Sequence, residues 1–393
     1  MRLLKQSFSL LKKPYIPLLQ SNKLYSIKQG IQSNYCIIQQ QYSMSTTTSI
    51  PNTTLAAQYT ERGNPTDVIK LTELSLQCND DELIIQMVAA PINPSDINMI
   101  EGTYMIKPEL PAIAGGEGVG RIVYIGKSVV DKSLELNDLV IQATGGLGTW
   151  CTYNIRKPND VLKIPGIHDI DVLQAATLSV NPCSAYRMLH DYYKLSPGDI
   201  VIQNGANSSV GLAVIQLCKL WNINTINIVR NRDNVDELKQ QLYSLGATLV
   251  LTEDELAARD SRTMLADKQL SNIKLALNCV GGNSSAELSR HMTDNSVMVT
   301  YGGMSKRPVT IGTSKFIFNN ISLYGFWLTR WIQQHSKQQR IDMLTELVQY
   351  IKQNKFRSYV TCIPFTDIKH ALQLAQTGKK QAKVVVTFHE LNK

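Results

Sequence analysis

From residue 200 to residue 301 the chain alternates strand-sized apolar runs with helical ones, and this alternation limits the fold more than any other feature. Strand 200–203 is followed by helix 210–220, and strand 225–229 by helix 235–245. Strand 248–251, strand 275–278, helix 285–291 and strand 296–301 come next. A hydrophobic period that switches between 2 and 3.6 at this spacing predicts βαβ units, and so a parallel sheet with right-handed crossovers. Upstream, to about Lys163, the β-type runs 83–88, 118–125, 138–143 and 161–164 are separated by turn signals and predict a compact β-rich domain. An apolar helical stretch from about Val172 leads through Asn181 and Pro182 into the alternating half. A long amphipathic helix over 340–353, a segment over 367–377 and a last strand over 383–388 close the chain, and this end could rejoin the first domain.

Two domains fit the length, since 393 residues that are 43% hydrophobic can build two cores. No apolar run approaches 18 residues, so no helix is expected to cross a membrane. From Met1 to Thr60 there is no Asp or Glu, while Arg2, Lys5, Lys12, Lys13, Lys23 and Lys28 are basic. Leu3, Leu4, Phe8, Leu10 and Leu11 recur between them at roughly helical spacing, which is the composition of a mitochondrial transit peptide, the alternative being a disordered polar tail. Those six cations carry most of the formal net charge of +8, so the basic balance gives no support for nucleic-acid binding. The seven cysteines are scattered along the chain and form no close-spaced zinc motif.

The sharpest local motif runs Val201-Ile202-Gln203-Asn204-Gly205-Ala206-Asn207-Ser208-Ser209-Val210-Gly211: a strand, a turn of small residues and a helix start. A dinucleotide pyrophosphate would sit there on helix N-terminal amides, although Ser209 stands where a close-approach glycine is usual and an ordinary strand–turn–helix junction would look similar. The next strand ends in Arg230-Asn231-Arg232 in place of the acidic residue that would bind a ribose 2′-hydroxyl. Two arginines there suit a 2′-phosphate and favour NADP over NAD, the alternative being a solvated basic turn. Asn278-Cys279-Val280-Gly281-Gly282 and Tyr301-Gly302-Gly303-Met304 each place a glycine pair just after a strand, where backbone can approach a cofactor.

In the first half, Asn93-Pro94-Ser95-Asp96-Ile97-Asn98 is followed by Tyr104 and then by Gly115-Gly116-Glu117-Gly118. With these motifs in this order the chain resembles the medium-chain dehydrogenase/reductase superfamily. Asn93 and Gly116 stand where its zinc alcohol dehydrogenases carry Cys and His, so those positions cannot assemble a zinc site. Asn181-Pro182-Cys183-Ser184-Ala185-Tyr186 and Gly325-Phe326-Trp327-Leu328-Thr329-Arg330-Trp331 narrow the resemblance to the zinc-free mitochondrial trans-2-enoyl-thioester reductases, over about residues 60–388.

That resemblance implies an α/β protein with a GroES-like β-rich catalytic domain and a Rossmann doubly wound cofactor domain. The expected division is a transit peptide over 1–50, catalytic domain over 51–182, NADPH-binding domain over 183–325 and a return to the catalytic domain over 326–393. It implies Tyr104 as proton donor. It implies NADPH contacts at Asn181, at Asn207, Ser208, Ser209 and Val210, and at Arg230, Asn231 and Arg232. Further contacts are implied at Tyr301, Gly302, Gly303 and Met304, at Phe326, Trp327 and Leu328, and at Lys383. The implied substrate is an enoyl-acyl carrier protein or enoyl-CoA in the mitochondrial matrix. A homodimer built on the cofactor-domain edge near residues 296–318 is also implied. A zinc-free quinone oxidoreductase of the same superfamily is the competing reading. A phenol suits the first chemistry on its own terms, since it stays protonated near neutral pH and can donate to a developing enolate without a metal. A loop aromatic covering the core is the plainer reading of Tyr104. Asp96 and Glu117 lie in Gly/Pro-rich loops, where pocket-positioning and turn-stabilising roles are equally open.

Overall fold

The structure, a computed structural model, describes residues 50–377 and 382–388; the expected transit peptide, except residue 50, lies outside them. Six parallel strands form the sheet that the alternation predicts. Their spatial order is Leu249–Thr252, Asn224–Val229, Ile200–Gln203, Ile273–Asn278, Val297–Thr300 and Ser322–Gly325. The chain starts in the middle, winds outward to one side and returns to wind to the other. The topological switch therefore falls between Ile200–Gln203 and Ile273–Asn278, which is where an open α/β sheet binds its ligand. Side chains alternate as a strand requires: Ile200 and Ile202 enter the apolar cluster on one face, while Val201 enters the larger one on the other.

The second sheet has seven strands. Leu83–Pro91 is its centre, with Val119–Ile125, Leu139–Gln142 and Val161–Lys163 beyond it on one side and Tyr153–Arg156 also paired to it. On the other side lies the last strand, Lys383–Thr387, antiparallel with Val386 opposite Ala90, and then Val360–Pro364. A three-stranded sheet of Lys70–Ser75, Thr53–Tyr59 and Ala112–Ile113 completes the β-rich half. The helix Asn181–Asp191 lies between the halves, and its Cys183, Ala185, Met188 and Leu189 join one apolar cluster with Val88 and Val119 on one side and Val201 and Leu275 on the other.

One local reading needs correction. Asp96 does not lie in a loop; it is in the first turn of the helix Pro94–Glu101. Pro94 takes the first helical position, where its missing N–H costs nothing, and the Asp96 carboxylate reaches back to accept the Asn93 amide at 2.7 Å. Gly102 closes this helix at φ +77°, and the amides of Thr103 and Tyr104 both donate to the Asn98 carbonyl, at 2.9 and 3.1 Å. Tyr104 thus hangs from a helix terminus, which fixes its backbone.

Candidate active site

The first parallel strand ends at Gln203, the chain turns at Gly205 with φ +58°, and the helix Ser209–Leu220 begins. Ser208 caps that helix by accepting the Gly211 amide at 3.1 Å. A Cβ on Gly205 would lie 2.5 Å from the Cys279 sulfur, and one on Gly211 only 2.4 Å from the Ala206 carbonyl. Gly211 therefore lets the helix close onto its own turn, and Ser209 occupies a first-turn position where a side chain is tolerated. Asn204, fully buried, ties this turn to the next strand end, donating to Asn278 at 2.8 Å and accepting the Cys279 amide at 2.8 Å. The sequence reading gave Asn204 no role; its burial at a strand end could not be seen from the motif alone.

Asn207, Ser208 and Ser209 are half-buried around this helix start, and Val210 is turned into the apolar interior. Tyr301 follows the neighbouring strand Val297–Thr300, with its hydroxyl buried and lacking a well-formed hydrogen bond beside the Cys279 thiol and Ser208. Gly302 approaches the Cys279 backbone, Gly303 has open space where a side chain would be, and Met304 is exposed. Arg230, Asn231 and Arg232 form a separate corner at the end of Asn224–Val229, where Asn231 donates to Asp254 at 3.3 Å. Partial burial and the neighbouring Arg230 charge hold Arg232 below its ordinary pKa, as expected for two cations gathered in one corner. A helix N-terminus, the tight glycine turn before it and two clustered guanidiniums fit a phosphorylated dinucleotide.

Tyr104 of the β-rich half meets Trp327, which follows the strand Ser322–Gly325. The indole N–H donates to the phenolic oxygen at 2.8 Å, and the rings stand edge to face with centroids 6.3 Å apart. Burial raises the phenol above its ordinary pKa of 10; the Trp327 donor opposes this and the Asp96 charge adds to it. Phe326 and Leu328, flanking Trp327, turn into the apolar interior.

Behind Tyr104 lies a buried polar cluster that the motifs touched but did not connect. Asn93 donates to Glu117 Oε2 at 2.8 Å, and its own oxygen accepts from Lys383 Nζ and from Asn181 Nδ2, the latter at 3.2 Å. Glu117 Oε1 accepts the Val180 amide at 2.9 Å and the Ser179 hydroxyl at 3.2 Å. Burial raises both Asp96, to about 7, and Glu117 above the carboxylate range, while the Lys383 ammonium pulls both down. Both Glu117 oxygens accept well-formed hydrogen bonds, whereas Asp96 Oδ1 lies beside the Gly116 backbone without one. Both Glu117 oxygens thus meet donors, which favours its ionised form. Among the described residues no cluster of three or more His, Cys, Asp or Glu is placed to hold a metal ion.

Fold and site together define a two-domain medium-chain dehydrogenase/reductase. Residues 79–166 match the family described as alcohol dehydrogenase GroES-like domain, and residues 209–346 the family described as zinc-binding dehydrogenase. The chain is 44% identical over 335 residues to the mitochondrial enoyl-[acyl-carrier-protein] reductase of Xenopus tropicalis, covering 83% of this chain and 94% of that protein. The human enzyme of the same name is 42% identical, with 85% and 88% covered. Among solved structures, the Etr1p complex with NADP and crotonyl-CoA is 34% identical with a TM-score of 0.79, covering 86% of this chain and 100% of that one. The Etr1p/Etr2p heterodimer of Candida tropicalis, a mitochondrial 2-enoyl thioester reductase, is 36% identical with the same TM-score and coverage. This chain belongs to the family of mitochondrial enoyl-[acyl-carrier-protein] reductases. An Escherichia coli quinone oxidoreductase, 18% identical with a TM-score of 0.74, shares the fold.

Proposed function

We propose that this protein reduces trans-2-enoyl thioesters to saturated acyl thioesters with NADPH, in mitochondrial type II fatty acid synthesis, with acyl carrier protein or CoA as the carrier. The observation that carries this is the identity of 40–44% to enoyl-[acyl-carrier-protein] reductases over most of both chains. The solved relative that holds NADP and crotonyl-CoA gives it chemical content. The protein acts in the mitochondrion, in the matrix by this proposal; the acid-free, basic N-terminus supports import.

The cofactor, when bound, supplies the hydride. Asn207, Ser208, Ser209 and Val210 would cradle its pyrophosphate at the helix N-terminus, and Arg230, Asn231 and Arg232 would read the 2′-phosphate. Tyr301, Gly302, Gly303 and Met304 would border it from the next strand end. Asn181, Phe326, Trp327, Leu328 and Lys383 would shape its nicotinamide side. Tyr104 would be the acid, protonating the α-carbon or holding the developing negative oxygen. Its protonated state at working pH follows from its raised pKa. The Trp327 N–H occupies an acceptor site of the phenol, so the hydroxyl hydrogen is left to point elsewhere and can be given to substrate. Turnover of NADPH with trans-2-enoyl thioesters, set against a quinone, tests the assignment.

The domain division over 51–182, 183–325 and 326–393 remains part of this proposal. So does the homodimer: Ser322–Gly325 is the edge of the parallel sheet, and Leu323, Tyr324, Phe316, Ile317 and Phe318 are exposed beside it. An uncovered apolar sheet edge favours pairing with a second copy.

A further inference from the structure

Four separated stretches of chain bring Asn93, Glu117, Asn181 and Lys383 to one point, and all but Asn181 are less than 5% exposed. The hydrogen bonds there have a direction. A carboxylate only accepts and an ammonium only donates, so the Asn93 amide has a single orientation: nitrogen to Glu117, oxygen to Lys383. Asn181 must then offer its N–H to that same oxygen, and its own carbonyl oxygen faces away from the cluster. Glu117 needs both oxygens for this arrangement, because Asn93 donates to one and Val180 and Ser179 donate to the other.

We propose that Glu117 is a positioning residue for cofactor binding: through Asn93 it sets the Asn181 carboxamide so that a carbonyl oxygen, not an N–H, is presented to bound NADPH. The group recognised is a hydrogen-bond donor on the nicotinamide half, either a ribose hydroxyl or the carboxamide N–H. The inference rests on the assignment of Asn181 to the cofactor made above, and it adds the residue that determines which face of Asn181 the cofactor meets.

Isosteric exchange tests it. Glu117→Gln replaces one acceptor by a donor, so a donor faces a donor either at Asn93 or at Val180. Asn93→Asp alone sets two carboxylates against each other. The double variant Asn93→Asp/Glu117→Gln restores every donor–acceptor pair with total charge unchanged, one residue donating where the other formerly did. NADPH dissociation constants from fluorescence titration, melting temperatures and enoyl-thioester kinetics are measured for all of them. Glu117→Gln is expected to weaken NADPH binding about tenfold or more, with kcat at saturating NADPH changed much less, and the double variant to return within about threefold of the wild type. Asn181→Ala, at a half-buried position, should show the same loss of affinity even where Glu117→Gln does not fold. With the 3-acetylpyridine analogue of NADPH, which lacks the carboxamide N–H, an undiminished Glu117→Gln effect identifies the ribose hydroxyl and a vanished one the carboxamide; either supports the proposal. Wild-type NADPH affinity in folded Glu117→Gln or in Asn181→Ala, or a double variant no better than its parents, overturns it. A wild type that binds no NADPH would instead refute the functional assignment, so the two failures are distinct.

Discussion

The indole N–H of Trp327 donates to the phenolic oxygen of Tyr104 across 223 residues of sequence. One partner hangs from the end of a helix in the β-rich half and the other follows the sixth strand of the parallel sheet, so the bond ties the two halves together. Tyr104→Phe is expected to bind NADPH normally and lose kcat by about 10²- to 10⁴-fold, the range general acid catalysis supplies. Stopped-flow turnover with an enoyl thioester checks it, and a wild-type kcat across pH 6 to 9 would reduce Tyr104 to a packing residue.

Trp327→Phe keeps the ring and deletes the donor. The phenol is already above its ordinary pKa through burial, and the Trp327 bond is what pulls it down. Losing that bond moves the pKa further up. Activity that needs the protonated phenol declines as pH rises through that pKa, so the alkaline limb of the kcat profile should move to higher pH in the variant, with kcat lowered about tenfold by poorer orientation. An unmoved alkaline limb would separate Trp327 from the acid.

Arg230→Ala/Arg232→Ala is expected to raise the Michaelis constant for NADPH about tenfold or more and leave that for NADH nearly unchanged, because only the 2′-phosphate distinguishes them. Equal losses with both cofactors would show that the arginines do not read that phosphate.

Asp96 links stability to pH. Its pKa rises from 3.8 to about 7 in the folded protein, so the native state binds this proton more tightly than the unfolded chain. The resulting stabilisation is complete below pH 3.8 and is lost as pH rises through about 7. Asp96→Asn keeps an oxygen for the Asn93 amide and removes the titration. The melting temperature of the wild type minus that of Asp96→Asn should therefore fall between pH 4 and 7, and a constant difference would show that Asp96 does not carry this titration.

Gly205→Ala would bring a Cβ to 2.5 Å from the Cys279 sulfur at φ +58°. A loss of about 1 to 3 kcal/mol of stability is expected from strain and overpacking, with weaker NADPH binding as the turn shifts. Chemical denaturation and NADPH titration of the variant measure the two effects.

The parallel sheet was legible because its strands are buried on both faces and its helices amphipathic, so period and spacing spoke together. The edge strand Ser322–Gly325 escaped: it is four residues long and largely exposed, so it carries no buried apolar run. The helix Pro94–Glu101 was hidden by Pro91 and Pro94, although Pro94 at the first position and Asp96 three residues after Asn93 form a helix-start signal. The Tyr104 and Trp327 phrases stood out singly, but their bond depends on how the two halves meet, which no local pattern encodes. Glu117 was visible only as a charge in a Gly/Pro-rich loop and Lys383 only through the family resemblance; that they share Asn93 follows from the last strand pairing with Leu83–Pro91.

The most direct measurement is steady-state NADPH oxidation by the purified protein with trans-2-enoyl thioesters of increasing chain length, beside a quinone, with the product identified by mass spectrometry. The account predicts saturated acyl thioester formed in step with NADPH consumed and little turnover of the quinone. Rapid quinone reduction with no saturation of any enoyl thioester would contradict it.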